Sequence, residues 1–277
     1  MNPIHAVLLG IIQGIAEFLP ISSSGHLIFI PELLGWQDQG LAFDVVVHLG
    51  TLAAVIVFFW RKLWNIIRSF FVAVLEGVGG ETASGQMNRK LGWMLLISII
   101  PAGIVGFFFE DIIEEALRSP FVVAVSLIVW GVFLGISDRY NKSLEAKDKD
   151  SLTEMNWKQV IMISIAQAIA LVPGTSRSGI TMTAGLFSKL EKDTAAEFSF
   201  LMSVPVIALA GMLEVWELYQ AGLEYLTLST LFVGFIISAV SGFFAIWLLM
   251  KIIKKWNYLP FVFYRIIVGI LILIFIV

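Results

Sequence analysis

Two apolar stretches of this chain are interrupted by proline, glycine and hydroxyl residues, and this interruption limits the fold more than any other feature of the sequence. The first stretch covers residues 12–26, IQGIAEFLPISSSGH, and the second covers residues 166–179, AQAIALVPGTSRSG. Their apolar flanks place both at membrane depth, where irregular backbone is tolerated only if it is buried in protein or lines a wet cavity. The two stretches are therefore predicted to form two walls of one site.

The composition places the whole chain in a membrane. Hydrophobic residues make up 58% of the sequence and charged residues 14%, which leaves too little polar surface to cover a soluble globule of 277 residues. The N-terminal sequence MNPIHAVLLG lacks the positively charged region of a cleaved signal peptide, so the first apolar segment is expected to remain in the mature protein. With no cysteine in the sequence, thiol nucleophiles, thiolate metal sites and disulfides are excluded.

The order of apolar segments predicts an all-α polytopic membrane protein with six transmembrane helices and two re-entrant helical hairpins. The first hairpin runs over residues 3–34 and turns at residues 20–25. The second enters near Gln159, breaks at Pro173 and Gly174, and returns over residues 181–189. The six spans are predicted at residues 41–60, 91–109, 121–136, 198–218, 228–250 and 259–277. A polar, glycine-containing loop is expected between the first two spans.

The two halves of the chain resemble each other, which predicts a single integral membrane domain over residues 1–277 built from two repeats. Repeat one covers about residues 1–137 and repeat two about 159–277, and the charged run at 138–158 is interpreted as a solvated connector. The spacing from Gln13 to Gly25 equals that from Gln167 to Gly179. The segment AFDVVVHLG also matches EFSFLMSVP in the same order. The aligned turn residues are Ser22 with Ser176, Ser23 with Arg177, and Ser24 with Ser178.

The count of spans and the placement of charge predict the orientation of these repeats. Each half holds one hairpin and three spans, an odd number, so the second copy is expected to be inserted upside down, with the hairpins meeting near the midplane. The loops predicted to lie inside hold all but three of the 18 lysines and arginines; the exceptions are Arg118, Arg177 and Arg265. By the positive-inside rule, both termini are expected on the outer face.

Two arginines lie within apolar surroundings, where a charged side chain is costly and usually functional. Arg177 belongs to an SRSG turn whose backbone N–H groups could converge on an anion, and the helix expected from Thr181 adds its positive N-terminal end. The alternative is that Arg177 only neutralises Glu17 or Glu197. Arg265 has no comparable setting, so a structural ion pair or snorkelling is expected there.

One carboxylate and one histidine lie close to the first turn. Glu17 could bind a divalent cation, act as a base or pair with Arg177. His26 could orient or deprotonate a serine hydroxyl, or protonate a leaving group. His5 and His48 are interpreted as hydrogen-bonded packing residues. This spacing supports a site for a phosphate-like anion and is not diagnostic of one reaction.

These motifs carry a resemblance to a known family. The sequence EFLPISSSGH, followed by PGTSRSG and then EFSFLMSVP, is similar to the undecaprenyl-diphosphate phosphatase family, also called bacitracin resistance protein (UppP or BacA), over essentially the whole chain. The family's enzymes hydrolyse undecaprenyl diphosphate to the monophosphate with Mg²⁺ or Ca²⁺, which recycles the lipid carrier for peptidoglycan synthesis and confers bacitracin resistance. The resemblance implies an inverted repeat in the bacterial plasma membrane, with the site facing the periplasmic side and a polyprenyl diphosphate lipid as partner. No nucleic-acid partner is expected, and a homodimer is one assembly that the chain could adopt.

Carried over by position, the resemblance implies a role for several side chains. Glu17 becomes a catalytic or metal-binding carboxylate, Ser23 the candidate nucleophile and His26 its acid/base partner. Arg177 becomes the centre of a pyrophosphate clamp. The substrate-binding set that the resemblance implies is Ser22, Ser24, Ser176, Arg177, Ser178 and Thr181.

One position departs from the family pattern, and two questions stay open. Many members have a second glutamate where this chain has Gln13, whose carbonyl oxygen could still bind a cation beside Glu17 but which adds no charge and cannot be a base. Attack by Ser23 and direct attack by a metal-bound water both remain open. A second class of function, a lipid-phosphate flippase or transporter, is suggested by the inverted repeat, and phosphate release by the purified protein would discriminate the two.

Overall fold

A computed structural model describes residues 2–76, 82–117, 119–145, 148–221 and 228–277. Over those ranges the chain forms twelve α-helices, and its only β-type pairing there is an isolated bridge between Asp150 and Leu190. The all-α prediction is therefore confirmed. Two basic residues used for the predicted orientation, Arg118 and Lys147, lie outside the described residues.

The helices follow one another with short connections. The first half of the chain contains α1 (Pro3–Phe18), α2 (Ser23–Leu34), α3 (Leu41–Phe58), α4 (Trp60–Glu76), α5 (Ala83–Ile97), α6 (Ile100–Glu115) and α7 (Pro120–Ser143). The second half contains α8 (Trp157–Ile169), α9 (Arg177–Phe187), α10 (Lys192–Ala221), α11 (Leu228–Ile253) and α12 (Leu259–Phe275).

Long apolar helices make this a polytopic membrane protein. Five segments of the described chain are long and apolar enough to cross a bilayer, and α12 is an apolar helix of 17 residues, at the lower limit for a span. Each of the six predicted spans falls on one of these helices. The five long segments are Leu41–Phe58, Ala83–Phe109, Pro120–Ser143, Lys192–Trp216 and Leu228–Ile253.

Helix α4 was not predicted, because its basic and polar residues indicated a loop. Only Phe59 separates it from α3, and it is strongly amphipathic. Ile66 and Ser69 are buried on one face, whereas Trp64 and Phe71 are exposed on the other. Such a pattern is typical of a helix at the membrane interface. No helix of the second half occupies the corresponding position between α10 and α11 in the described chain.

The short helices α1 and α8 begin at side-chain caps. The Asn2 side chain accepts a hydrogen bond from the Ile4 N–H at 2.9 Å, with Pro3 as the first helical residue. Asn156 and Gln159 cap each other's backbone N–H groups at the start of α8. Helix α1 ends before Pro20, which cannot continue a helix.

The turns that follow α1 and α8 end in the same way, with a serine of positive φ immediately before the next helix. Ser22 has φ 76° and Ser176 has φ 69°, a left-handed region that non-glycine residues seldom adopt. Each is the N-cap of the next helix, and each side-chain oxygen accepts a hydrogen bond from the N–H of a glycine three residues on, Gly25 or Gly179. The strain is offset by those cap hydrogen bonds.

Helix α11 packs between α1 and α3 at very short range. A Cβ atom added to Gly14 of α1 would overlap Ser241, and one added to Gly50 of α3 would overlap Ser238, both on α11. Small residues allow backbones within a membrane to approach closely and gain dispersion energy. This packing fixes the end of α1 relative to α3.

The largest apolar core adjoins the end of α1. It includes Phe18, Phe198, Phe200, Met182 and Ile246, all with no exposed surface. Phe18 and Phe200 meet edge to face with ring centroids 5.5 Å apart. Apolar side chains therefore pack beside Glu17, the residue before Phe18.

Candidate active site

Glu17, in the last turn of α1, is the centre of a polar cluster. Its side chain is only 7% exposed. The Ser23 hydroxyl donates to Glu17 Oε2 at 2.7 Å, and the Arg177 guanidinium donates through Nη2 to Oε1 at 2.8 Å. Ser23 and Arg177 are the first residues of α2 and α9. The two interrupted stretches therefore meet on one buried carboxylate.

The matching turns explain why these two side chains face each other. Ser22 and Ser176 cap α2 and α9 in the same way, so the next residue of each helix leaves its turn in an equivalent direction. In the first turn that residue supplies a hydroxyl, and in the second it supplies a cation. Both helices also begin beside Glu17, and the partial positive charge of a helix N-terminus favours an anion there.

Two further side chains approach Glu17 Oε2. The Gln13 amide donates through Nε2 at 3.2 Å, one helical turn earlier on α1. On α3, His48 Nε2 lies 3.9 Å from the same oxygen, and His48 Nδ1 lies 2.7 Å from the carbonyl oxygen of Asp44. Because a carbonyl only accepts, Nδ1 carries a hydrogen and Nε2 is the atom that faces the carboxylate. His48 therefore forms a hydrogen bond, as predicted, and its ring also faces the candidate site.

The Arg177 guanidinium is held from a second side. Its Nη1 donates to the Ser199 carbonyl oxygen on α10 at 2.9 Å. Thr181, one turn further along α9, contacts the Arg177 carbonyl and the Ser199 hydroxyl, each at 2.7 Å. The Thr181 hydroxyl thus links α9 to α10 and holds the backbone of Arg177. The resemblance had implied that Thr181 contacts the substrate.

His26 is hydrogen-bonded at both ring nitrogens. Nδ1 lies 2.7 Å from the Ser22 carbonyl oxygen, and Nε2 lies 2.6 Å from the Tyr264 hydroxyl on α12. The His26 and Tyr264 rings are nearly parallel, with an interplanar angle of 8°. Neither partner is Ser23, whose hydroxyl donates to Glu17 instead. The predicted hydrogen-bonded pairing of His26 with Ser23 is not formed in this arrangement.

The remaining predicted serines divide into two groups. Ser22 and Ser176 are buried, and their hydroxyl oxygens cap the helices. Ser178 donates to the Leu19 carbonyl at 3.1 Å and so links the two turns. Ser24 is exposed, with its hydroxyl 3.4 Å from that of Ser22, and is the member of the set most accessible to a ligand.

Known proteins resemble this chain over its full length. A family model described as bacitracin resistance protein BacA matches residues 6–271. The chain is similar to undecaprenyl-diphosphatase of Campylobacter curvus (strain 525.92), at 45% identity over 275 residues that cover 99% of this chain and 98% of the relative. It is also similar to undecaprenyl-diphosphatase 1 of Pseudoalteromonas translucida (strain TAC 125), at 42% identity with 99% of both chains covered. The undecaprenyl-diphosphatase of Colwellia psychrerythraea (strain 34H / ATCC BAA-681) is 43% identical over 277 residues, with both chains covered completely.

The chain belongs to the bacitracin resistance protein BacA family. That membership confirms the resemblance predicted from the sequence motifs. In this BacA family protein, the cluster around Glu17 brings together residues of three motifs, EFLPISSSGH, PGTSRSG and EFSFLMSVP.

Arg265 of this BacA family protein has a different environment from the one expected. It has no exposed surface, which excludes snorkelling, and its guanidinium forms no ion pair within the described ranges. Among the described residues, its hydrogen-bond acceptors are all backbone carbonyl oxygens, at donor–acceptor distances of 2.8–3.4 Å. The acceptors are the carbonyls of Pro20, Ser126, Leu127, Gly174 and Thr175.

A cation site at Glu17 fits the residues present. Among the described residues, no group of three or more His, Cys, Asp and Glu side chains could hold a metal ion. Gln13 Oε1 is buried, however, with no hydrogen-bond partner in the part of the chain that the structure describes. A buried acceptor normally has a donor or a cation. Gln13 and Glu17 therefore suit a hard cation that takes its other ligands from water and phosphate oxygens.

The sequence did not point to three residues of this site: His48, Ser199 and Tyr264. His48 could have been found from the rule that an ionisable residue within a span is functional by default. Ser199 lies in the segment aligned with AFDVVVHLG, but its contribution is a backbone carbonyl, which no side-chain pattern indicates. Tyr264 gave no signal, because a tyrosine beside an arginine in an apolar helix is typical of the membrane interface.

Proposed function

We propose that this chain hydrolyses undecaprenyl diphosphate to undecaprenyl phosphate and inorganic phosphate in a bacterial membrane. The observation that carries the proposal is the convergence of a serine hydroxyl and an arginine guanidinium on the buried Glu17 carboxylate. Relatives named undecaprenyl-diphosphatase, 42–45% identical over nearly the whole chain, support the same substrate. Recycling the lipid carrier for cell-wall synthesis and resistance to bacitracin follow from this activity.

Ser23 is the proposed nucleophile, with Glu17 as its base. The Ser23 hydroxyl already donates to the carboxylate at 2.7 Å, the geometry that general base catalysis requires. Oγ bonds to the terminal phosphorus while the bridging P–O bond breaks, the proton passes to Glu17, and undecaprenyl phosphate leaves with the bridging oxygen. Water then hydrolyses the phosphoserine, releasing inorganic phosphate and restoring the hydroxyl. Direct attack by a water deprotonated by Glu17 remains the alternative.

Arg177 is proposed to clamp the pyrophosphate. Two of its guanidinium nitrogens contact Glu17 and the Ser199 carbonyl, which fixes the plane of the group. Its remaining N–H groups can meet phosphate oxygens in the paired geometry that arginine favours. The first turns of α2 and α9, including the exposed Ser24 hydroxyl, supply further donors.

Glu17 and Gln13 are the residues that would hold a Mg²⁺ or Ca²⁺ ion at this site. When bound, it would offset negative charge on the pyrophosphate oxygens. Because Gln13 is neutral, Glu17 is the only one of these two side chains that offers a cation negative charge. We expect Gln13→Glu to be tolerated and to tighten the dependence on the divalent cation.

We also propose an inverted repeat with six spans and two re-entrant hairpins, both termini outside and the site open to the outer face. The matching positive φ and helix cap of Ser22 and Ser176 support the repeat. The short α2, with 12 residues, is about 18 Å long and could not cross a hydrocarbon core of roughly 30 Å. The positive-inside rule supports the sidedness. A homodimer stays a prediction.

Glu17→Gln tests the proposed site. The amide keeps the size of the side chain but cannot accept the Ser23 proton, so phosphate release by purified protein should fall roughly a hundredfold or more. The matched control is Glu32→Gln, an exposed glutamate at the far end of α2, which should retain normal turnover. Thermal unfolding in detergent should show that both variants are folded. Near-normal activity of Glu17→Gln would move the base elsewhere.

Wild-type phosphate release separates hydrolysis from transport. Purified protein in detergent should release inorganic phosphate from undecaprenyl diphosphate. A pure lipid-phosphate flippase would release none, and that result would overturn the proposed hydrolysis. The names of the relatives favour hydrolysis.

A further inference from the structure

One side chain on α12 contacts the turns of both interrupted segments. Arg265 donates to the carbonyl oxygen of Pro20 at 3.2 Å in the first turn. In the second turn it donates to the carbonyl oxygens of Gly174 and Thr175, at 3.2 and 2.8 Å. Its Nε donates to the Leu127 carbonyl on α7 at 3.1 Å, so the guanidinium is held from a third direction. A group with several donors in one rigid plane is suited to such a bridge.

The neighbouring residue contacts the first turn as well. The Tyr264 hydroxyl lies 2.6 Å from His26 Nε2, and His26 Nδ1 in turn lies 2.7 Å from the Ser22 carbonyl. Because Nδ1 faces a carbonyl, it carries a hydrogen, and Nε2 accepts from the tyrosine. Tyr264 therefore fixes the ring that supports the residue before Ser23.

Space for the arginine is provided by two glycines. A Cβ atom added to Gly179 would lie 2.8 Å from Arg265 Nη1, and one added to Gly131 would lie 3.1 Å from the Arg265 Cβ. Both distances are shorter than ordinary carbon contacts. Larger residues at these positions would displace the guanidinium from the turns.

The backbone carbonyls that Arg265 contacts lie just before Ser23 and Arg177 in the chain. Pro20 precedes Ser23 by three residues, and Thr175 precedes Arg177 by two. The hydroxyl and the guanidinium that meet on Glu17 are thus attached to two backbone segments that share one set of hydrogen-bond donors. A shift of about 1 Å in such a pair can lower a rate by roughly a hundredfold.

We propose that Arg265 and Tyr264 are positioning residues that set the distance between Ser23 and Arg177 across Glu17. Arg265 aligns both turns, and Tyr264 aligns the first turn alone. This inference rests on the proposed hydrolysis at Glu17 for its effect on rate. Its effect on the two turns can be measured without any activity.

Tyr264→Phe is the mildest test, because it removes one hydroxyl and keeps the ring. We expect kcat for phosphate release to fall roughly three- to tenfold, the range expected for one lost hydrogen bond, with KM and the unfolding temperature nearly unchanged. The matched control, Tyr140→Phe on the exposed surface of α7, should keep wild-type kcat. Wild-type kcat in Tyr264→Phe would overturn the role of this residue.

Arg265→Lys tests the shared bridge, with Arg139→Lys at an exposed position of α7 as control. An ammonium keeps the charge but cannot reach carbonyls in both turns, so kcat should fall roughly tenfold to a hundredfold. If this variant does not fold, Gly179→Ala is used in its place, because the added methyl group would displace the same guanidinium. The same loss of kcat is expected.

Hydrogen exchange read by mass spectrometry reports the alignment directly. Amides of residues 21–26 and 174–179 should exchange faster in Arg265→Lys, whereas Tyr264→Phe should affect only residues 21–26. Unchanged exchange in both turns would overturn the proposal, even if activity fell. If exchange is faster in Arg265→Lys but the wild-type protein releases no phosphate, the role of Arg265 in aligning the turns is supported. The proposed hydrolysis is then overturned.

Discussion

Arg177 uses its guanidinium in two directions, toward Glu17 and toward the Ser199 carbonyl. A lysine keeps the charge but loses the planar fork. Arg177→Lys should therefore fold normally and lose roughly a hundredfold in phosphate release at saturating lipid diphosphate, as when one preorganised donor is removed. Wild-type turnover would show that a point charge suffices and that no clamp is needed. Loss of both turnover and thermal stability would favour a structural ion pair.

His48 is expected to matter because its ring faces the oxygen that receives the Ser23 proton. Removing a polar group that orients a functional side chain commonly lowers activity about ten- to a hundredfold. We expect His48→Ala to lose at least tenfold in phosphate release while unfolding near the wild-type temperature. The control is His5→Ala. The His5 ring lies at the start of α1, about three turns before Glu17, and stacks on Trp36. Equal activities of the two variants would return His48 to a packing role.

Among the elements, α11 sets the position of α1 through glycine contacts. A Cβ atom at Gly14 would lie 2.6 Å from the Ser238 carbonyl oxygen and would also overlap Ser241. Gly14→Ala should therefore destabilise the fold by roughly 1–3 kcal/mol, as overpacking usually does. Gly103→Ala on α6 is the control, since no described atom beyond its chain neighbours and its own helix backbone lies within 4 Å of its added Cβ. Thermal unfolding of the two purified variants makes the comparison, and equal midpoints would contradict the tight contact.

Hydropathy predicted the elements well and the site only in part. The long apolar helices were predicted because bilayer thickness demands long apolar runs, and the turns at Pro20 and Pro173 because proline and glycine interrupt helices. Helix α4 was missed because Arg61, Lys62 and Arg68 follow directly after the first predicted span and were interpreted as the start of a polar loop. His48 and Tyr264 were missed because their distance to Glu17 and His26 depends on how α3 and α12 pack, which no local pattern encodes.

At the scale of the whole molecule, the orientation can be tested with single cysteines, since the sequence contains none. Gln37→Cys and Asp148→Cys both replace exposed residues. A membrane-impermeant maleimide should modify the cysteine at position 37 in intact cells and the one at position 148 only after permeabilisation. The reverse pattern would invert the proposed topology.

The packing of α1 against α11 also has a consequence for biosynthesis. The Ser241 hydroxyl contacts the Gly10 carbonyl at 3.3 Å, across 231 positions of the chain. At a synthesis rate of roughly 5–20 residues per second, α1 waits about 10–50 s for this neighbour. Throughout that interval the buried Gln13 and Glu17 lack the helix that holds them in place, and Arg177 appears only late. The geometry around Glu17 can therefore form only after most of the chain has been synthesised, because α11 fixes the end of α1.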